Sequence, residues 1–250
     1  MLPNIDRPLN IAHRGASRIA PENTLAAFQK ALEVGADGIE FDVRLSSDGV
    51  PVVIHDATVD RTTDGTGRVA DLPLSELSQL DASTSFDAAF AGARIPTLAQ
   101  VFEMLGELLL LNIELKEEGF FGSSLEEAVV TLIQKHALER QVLVSSFNAL
   151  ALRRIQRISP HLRTALLCAH PASPVLRIAS LALGRPSGAL HPQSAGVDAK
   201  LVSWAHARGL RLHPWTVDDP ADMRRLIHCG VDGIITNVPD VLRDVLDTMP

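Results

Sequence analysis

Cysteine is nearly missing from this chain: Cys168 and Cys229 are the only two in 250 residues, far apart and in no metal-ligand spacing. That excludes a disulfide framework and makes a reducing compartment the simplest setting. Basic runs are missing too. Lys and Arg number 23 against 30 Asp and Glu, a formal net charge of −7, and no aromatic motif of the kind that stacks on RNA bases is present. Both observations argue against a nucleic-acid partner. There is no long apolar run: the stretch 174–190 is broken by Arg177, Gly184, Arg185 and Pro186, so no stable membrane insertion is expected. The start, Met1-Leu2-Pro3-Asn4-Ile5-Asp6-Arg7, lacks the basic region and apolar core of a secretory signal, and a cytoplasmic location is expected. No internal repeat appears, and nothing in the sequence specifies an oligomeric state.

What is present is alternation. Gly38-Ile39-Glu40-Phe41-Asp42-Val43-Arg44 puts Ile39, Phe41 and Val43 on one side and Glu40, Asp42 and Arg44 on the other, which is strand periodicity. Further strands are expected at Leu9–Ala12, Leu110–Lys116, Val142–Ser146, Thr164–Leu167, Gly188–Leu190, Gly209–Trp215 and Asp232–Thr236. Helical segments separate them. The first helix has Asn23 as its N-cap and Leu25, Phe28 and Leu32 as its stripe; the others lie at 97–105, 123–138, 148–157, 174–183, 198–208, 219–228 and 240–247. Eight strand–helix units in 250 residues predict an α/β (β/α)8 TIM barrel. An open doubly wound sheet is disfavoured, because His13-Arg14-Gly15-Ala16-Ser17 is not the glycine fingerprint that follows its first strand. The pattern breaks once. Ser47-Asp48-Gly49 signals a hairpin, Val50–Ile54 a return strand, and 62–67 a polar glycine-rich loop. Residues 46–95 are therefore expected to be a small inserted subdomain after the second barrel strand of one 1–250 domain.

In a barrel the strand C-terminal ends hold the site, and the polar residues cluster there. His13 and Arg14 end the first strand, Glu40 and Asp42 lie on the second, and His55-Asp56 falls in the insertion. Asn112, Glu114 and Lys116 share a face of the third; Trp215 ends the seventh; Thr236 and Asn237 end the last. His191 and His213, at late strand ends, are candidates for pocket lining. A lone Glu-x-Asp is ordinarily a solvated strand face, and Lys116 alone would simply neutralise Glu114. Together, Glu40, Asp42 and Glu114 would crowd three carboxylates, and one must hold a proton unless a cation lies between them. Oxygen-only ligands suit a hard ion, Mg²⁺ or Ca²⁺. Two histidines and an arginine beside such an ion are the parts for cleaving a phosphoester: one imidazole accepts a proton, the other donates one, and Arg14 holds phosphoryl charge.

Ordered blocks spanning most of the chain resemble the glycerophosphodiester phosphodiesterases, in their short cytosolic bacterial form. They are Ala12-His13-Arg14-Gly15, Pro21-Glu22-Asn23-Thr24, Ile39-Glu40-Phe41-Asp42-Val43, His55-Asp56, Arg61-Thr62-Thr63-Asp64-Gly65-Thr66-Gly67, Ile95-Pro96-Thr97-Leu98, Asn112-Ile113-Glu114-Leu115-Lys116, Trp215-Thr216-Val217 and 230–237. The resemblance implies a β/α barrel with an inserted subdomain. It implies hydrolysis of small-molecule glycerophosphodiesters, such as glycerophosphocholine and glycerophosphoethanolamine, to glycerol 3-phosphate and an alcohol. It implies His13 and His55 as the acid–base pair, Glu40, Asp42 and Glu114 as ligands of one Mg²⁺ or Ca²⁺, and Arg14 and Lys116 at the phosphoryl oxygens. Trp215 would pack on the glycerol end. Alternatives are a relative acting on lysophospholipids in the manner of phospholipase D, and a catalytically silent phosphodiester-binding barrel. The chain departs from the family pattern in having Asn237 where Asp is usual and Asp218 where Asn is usual; the resemblance makes neither a metal ligand.

Overall fold

Each alternating stretch turns its apolar side toward a helix. Ile39, Phe41 and Val43 of β2 (Gly38–Leu45) and Leu111, Ile113 and Leu115 of β4 (Leu110–Leu115) are fully or almost fully buried. They join one large core with the apolar faces of helices Leu25–Glu33, Leu98–Leu105, Leu125–Lys135 and Ala149–Ile158. The computed structural model describes residues 7–84, 86–106, 110–116, 124–169 and 187–249. The expected helix at 174–183 lies outside the described residues.

The remaining strands are β1 (Leu9–His13), β3 (Pro51–Val53), β5 (Val142–Ser146), β6 (Arg163–Cys168), β7 (Ser187–Pro192), β8 (Arg211–Leu212) and β9 (Gly233–Thr236). Eight run parallel in the order β8-β7-β6-β5-β4-β2-β1-β9, and β3 pairs antiparallel with β2. The two ends of that order meet: Asp232 N donates to Leu212 O and Ile235 N to Pro214 O, each at 3.0 Å. The result is a nearly closed TIM barrel with helices outside, as the alternation predicts. β8 is shorter than the expected 209–215. Gly209 is in a left-handed turn at φ +71°, and Pro214 has no N–H to give a ladder.

Two features position the site. The barrel interior is apolar toward the strand N-termini, where Leu9, Ile11, Leu110, Leu143, Ala165, Ala189 and Ile235 cluster, and turns polar toward the C-termini. Residues between β2 and helix Leu98–Leu105 form an excursion with its own core of Val52, Ile54, Val59, Val69, Leu77 and Ile95. It is tied to the barrel by the pairing of β3 with β2 and by Ile54 N donating to Asp42 O at 3.0 Å, while Val53 N donating to Pro96 O at 2.8 Å closes the excursion on itself.

Candidate active site

Strand register brings the first groups together. His13 lies opposite Glu40 across β1 and β2, and Asp42 opposite Glu114 across β2 and β4. Glu40, Asp42 and Glu114 are 3%, 0% and 7% exposed, and each offers an oxygen within 4.8 Å of the other two. Burial, reinforced by the charge of Asp42, pushes Glu40 up to about 8 and Glu114 up to about 7. Burial also works against ionised Asp42, yet Lys116 and Arg14 outweigh it and hold Asp42 at about 2. By themselves, then, these carboxyls leave Asp42 ionised and Glu40 mostly protonated at neutral pH, and a divalent cation would favour the fully ionised set that burial opposes. Three buried carboxylates, with no nitrogen or sulfur ligand among the described residues of this cluster, fit a hard cation.

Cationic side chains surround the cluster. Arg14 Nε is 3.3 Å from Asp42 Oδ2, and Lys116 Nζ is 3.0 Å from Asp42 Oδ1 while hydrogen-bonding Glu114 Oε1. The Arg14 backbone is left-handed at φ +57°, followed by Gly15 at φ +82°. A Cβ on Gly15 would sit 2.7 Å from the Ala27 carbonyl carbon, so only glycine lets this turn tuck against the first helix. Arg14 N then donates to Glu40 O at 2.7 Å, locking the turn onto β2.

Each histidine is held by Nδ1. His13 Nδ1 is 2.7 Å from Asn237 Oδ1, and Asn237 Nδ2 donates to Asp218 Oδ2 at 2.7 Å. The second bond orients the amide, so its oxygen must accept and His13 carries its proton on Nδ1 when neutral. His13 Nε2 stands 3.9 Å from Glu40 Oε2. His55 Nδ1 is 2.6 Å from Asp56 Oδ1, a carboxylate that can only accept, and Arg44 Nε fixes the loop by donating to His55 O at 2.9 Å. Burial lowers both imidazoles from their ordinary value; Arg14 adds to this at each, while Asp42 opposes it. Arg61 ties the two sides together. Its Nε donates to Asp56 at 2.6 Å, and its two terminal nitrogens donate to Glu22 at 2.8 Å each; Arg14 donates to the same Glu22 at 2.9 Å.

Trp215 stands after the seventh barrel strand, apart from this charged group. Its Nε1 donates to His191 O at 2.6 Å, and its ring meets Phe147 edge-on with centroids 5.6 Å apart. Apart from His191 and His213, the candidate residues named from the sequence sit toward strand C-terminal ends or on the loops that follow.

Three readings need correction. Asn23 is not the helix N-cap; Thr24 is, accepting from Ala27 N at 3.2 Å. Asn23 instead donates to Asp42 Oδ2 at 2.8 Å, because a buried carboxylate needs donors more than a helix end needs a second cap. His191 and His213 do not line the mouth. Both are wholly buried inside the barrel, their Nε2 and Nδ1 3.1 Å apart, with burial keeping them neutral and His213 down at about 4. The sequence alone does not mark the partners Asp218, Glu22 and Phe147 as site residues. Glu22 sits in a recognisable block, but nothing local in sequence says which cation it meets.

Comparison with known proteins places this geometry. A family model described as the glycerophosphoryl diester phosphodiesterase family matches residues 13–241. A glycerophosphodiester phosphodiesterase of Caldanaerobacter subterraneus subsp. tengcongensis is 46% identical over 239 residues, covering 94% of this chain and 96% of that one. An Oleispira antarctica phosphodiesterase solved with its product sn-glycerol-3-phosphate superposes with a TM-score of 0.88 at 32% identity, covering 95% of this chain and 96% of that one. A glycerophosphodiester phosphodiesterase structure from Agrobacterium tumefaciens gives 0.80 at 34% identity, with 94% and 98% covered.

Proposed function

Because the chain belongs to the glycerophosphoryl diester phosphodiesterase family, we propose that it hydrolyses water-soluble glycerophosphodiesters, glycerophosphocholine and glycerophosphoethanolamine among them, to sn-glycerol 3-phosphate and an alcohol. The reaction would run in the cytoplasm with one Mg²⁺ or Ca²⁺ held by Glu40, Asp42 and Glu114. The observation that carries this reading is the buried three-carboxylate cluster flanked by two histidines, each anchored through Nδ1. When bound, the cation supplies Lewis-acid stabilisation of phosphoryl charge.

The chain's own groups do the rest. Arg14 and Lys116 supply fixed positive charge for the phosphoryl oxygens. His13 turns Nε2 toward the cluster, and burial and Arg14 together outweigh the amide of Asn237, which favours the imidazolium without a formal charge of its own. It is the base, taking the proton of the attacking hydroxyl; where that hydroxyl is water's the product forms directly, and where it is the neighbouring one on glycerol a cyclic phosphate forms first and water must then open it to give glycerol 3-phosphate. His55 has a carboxylate on Nδ1, which stabilises its charged form. It is the acid: as the phosphorus–oxygen bond to the alcohol breaks, Nε2 gives its proton to the leaving oxygen. Trp215 and Phe147 form an apolar wall for the carbon part of the substrate.

A second substrate class, lysophospholipids, is favoured by one observation: Ile19, Phe147 and Leu150, which follow β1 and β5, are 42–51% exposed, apolar surface an acyl chain could cover. Rates on glycerophosphocholine and on lysophosphatidylcholine, after chelation and again with Mg²⁺ or Ca²⁺ restored, test both. Full activity in excess chelator would overturn the metal assignment. Faster turnover of the lysolipid would replace the substrate assignment. Turnover of neither would leave a silent binding barrel.

A further inference from the structure

The opposite end of the barrel holds a cavity edged by charged side chains. It has a volume of about 660 Å³ and lies at the N-terminal ends of β5 to β8, bordered by Arg140, Arg163, Arg211, His161, His213 and Glu139. Three arginines face one acid. Arg163 is fixed by hydrogen bonds to the carbonyl oxygens of Arg140 and Val142, which hold its plane but supply no counter-charge. Arg211 is half-buried, and its side chain makes no ion pair or hydrogen bond among the described residues. Neither does that of Glu139. Asp232 is already engaged by Leu212 N and His206, each at 2.8 Å.

His213 provides the independent sign of a ligand. Its side chain is 0% exposed, borders the cavity, and has no partner for Nε2. A buried ring nitrogen left unpaired is costly. If His191 Nε2 donates to His213 Nδ1, the neutral His213 must carry its proton on Nε2, as a donor to whatever occupies the cavity. Burial and the repulsion of Arg211 also lower Arg163 below its ordinary value, strain that an anion would relieve.

We propose that this cavity binds a phosphate-type dianion, free or carried on a small phosphomonoester, between the guanidinium groups of Arg163 and Arg211 with His213 Nε2 as a neutral donor. Two guanidinium forks and a neutral N–H suit the oxygens of such a group. A cavity of this volume leaves room for a small organic substituent. The site would be separate from the mouth that holds Glu40, Asp42 and Glu114, at the other end of the same strands.

The test removes the mouth first. In an Arg14→Ala/Lys116→Ala protein, titration calorimetry with inorganic phosphate should show one saturable site with a dissociation constant of about 1 mM or tighter. Arg211→Gln in that background should weaken it by at least about tenfold, with Arg163→Gln as a second variant. Arg211→Gln in the otherwise native enzyme should leave hydrolysis unchanged in phosphate-free buffer. Repeating the titration with sn-glycerol 3-phosphate separates the sources: equal affinity means the phosphoryl group alone is read, and tighter binding means the ester is. Absence of saturable binding in the mouth-silenced protein, or binding indifferent to both arginine changes, overturns the proposal.

Discussion

The two halves of the C-terminal mouth are built differently. On β1, β2 and β4, His13, Glu40, Asp42 and Glu114 stand on paired strands in register, and every one touches another charged or hydrogen-bonding group of the site. On the β5 to β8 side stand Phe147, 51% exposed, and Trp215, which touch each other, the indole N–H also donating to a backbone carbonyl. Groups that must share charge over a few ångströms need neighbouring strands, since parallel partners lie about 5 Å apart. A wall that only shields carbon has no such demand and can hang on loops. The charged half should therefore govern turnover, and the apolar half should govern affinity.

The hardest test of that division is to remove a histidine. His13→Ala and His55→Ala should each lower kcat by roughly 10²–10⁴, and the double variant should be little worse than either, because the pair acts as a unit. A substrate with a p-nitrophenolate leaving group should rescue His55→Ala alone. Rescue of His13→Ala instead would exchange the two roles. Next comes Glu40→Gln. It should cost roughly 10²–10³ in kcat/KM and abolish the rise in Tm that Mg²⁺ or Ca²⁺ gives the native protein. An unchanged metal-dependent Tm would remove Glu40 from the ligand set.

A subtler change acts on the pH profile. Burial, then Arg14, holds His13 below its ordinary value of 6.5, so its neutral form persists at pH 7 and activity is lost only as pH falls through that lowered value. Asn237→Asp would place a carboxylate on Nδ1, favour the imidazolium, and move the acid limb of kcat/KM upward by roughly one pH unit. A stationary limb would show that another group sets it. The smallest effect belongs to the wall. Trp215→Ala and Phe147→Ala should raise KM for glycerol-containing substrates about tenfold with kcat nearly constant, and should leave bis(p-nitrophenyl) phosphate unaffected. A fall in kcat comparable to that of the histidine variants would collapse the distinction between the halves.

The charged half was also the more readable in sequence. Period-two spacing puts Glu40 with Asp42, and Glu114 with Lys116, on the inward face of any strand they form, and barrel topology carries both to one mouth. What could not be read depends on side chains meeting across long stretches of chain. By residue type Asn23 is the better cap than Thr24, and only the folded barrel brings Asp42 close enough to claim it and leave the cap to Thr24. His191 and His213 resemble mouth residues because they lie late in their strands, yet β8 ends at Leu212 and both rings stay inside the barrel. The link from His13 through Asn237 to Asp218 joins residues 224 and 19 positions apart, beyond any local pattern.

Glu22 couples the excursion to the mouth. It is shared by Arg14 and Arg61, and Arg61 in turn holds Asp56 behind His55. An anion drawn to Arg14 would compete with Glu22, which would then be left to Arg61, so filling the mouth should tighten the segment that carries His55, the proposed acid. Linkage makes this reciprocal: whatever weakens the Glu22–Arg61 pair changes the affinity for the anion by the same factor. With the Arg61 side chain 49% exposed, dissolved salt reaches that pair more readily than it reaches Arg14 and Asp42. The Michaelis constant of this enzyme should therefore respond to ionic strength through a contact that never touches the substrate.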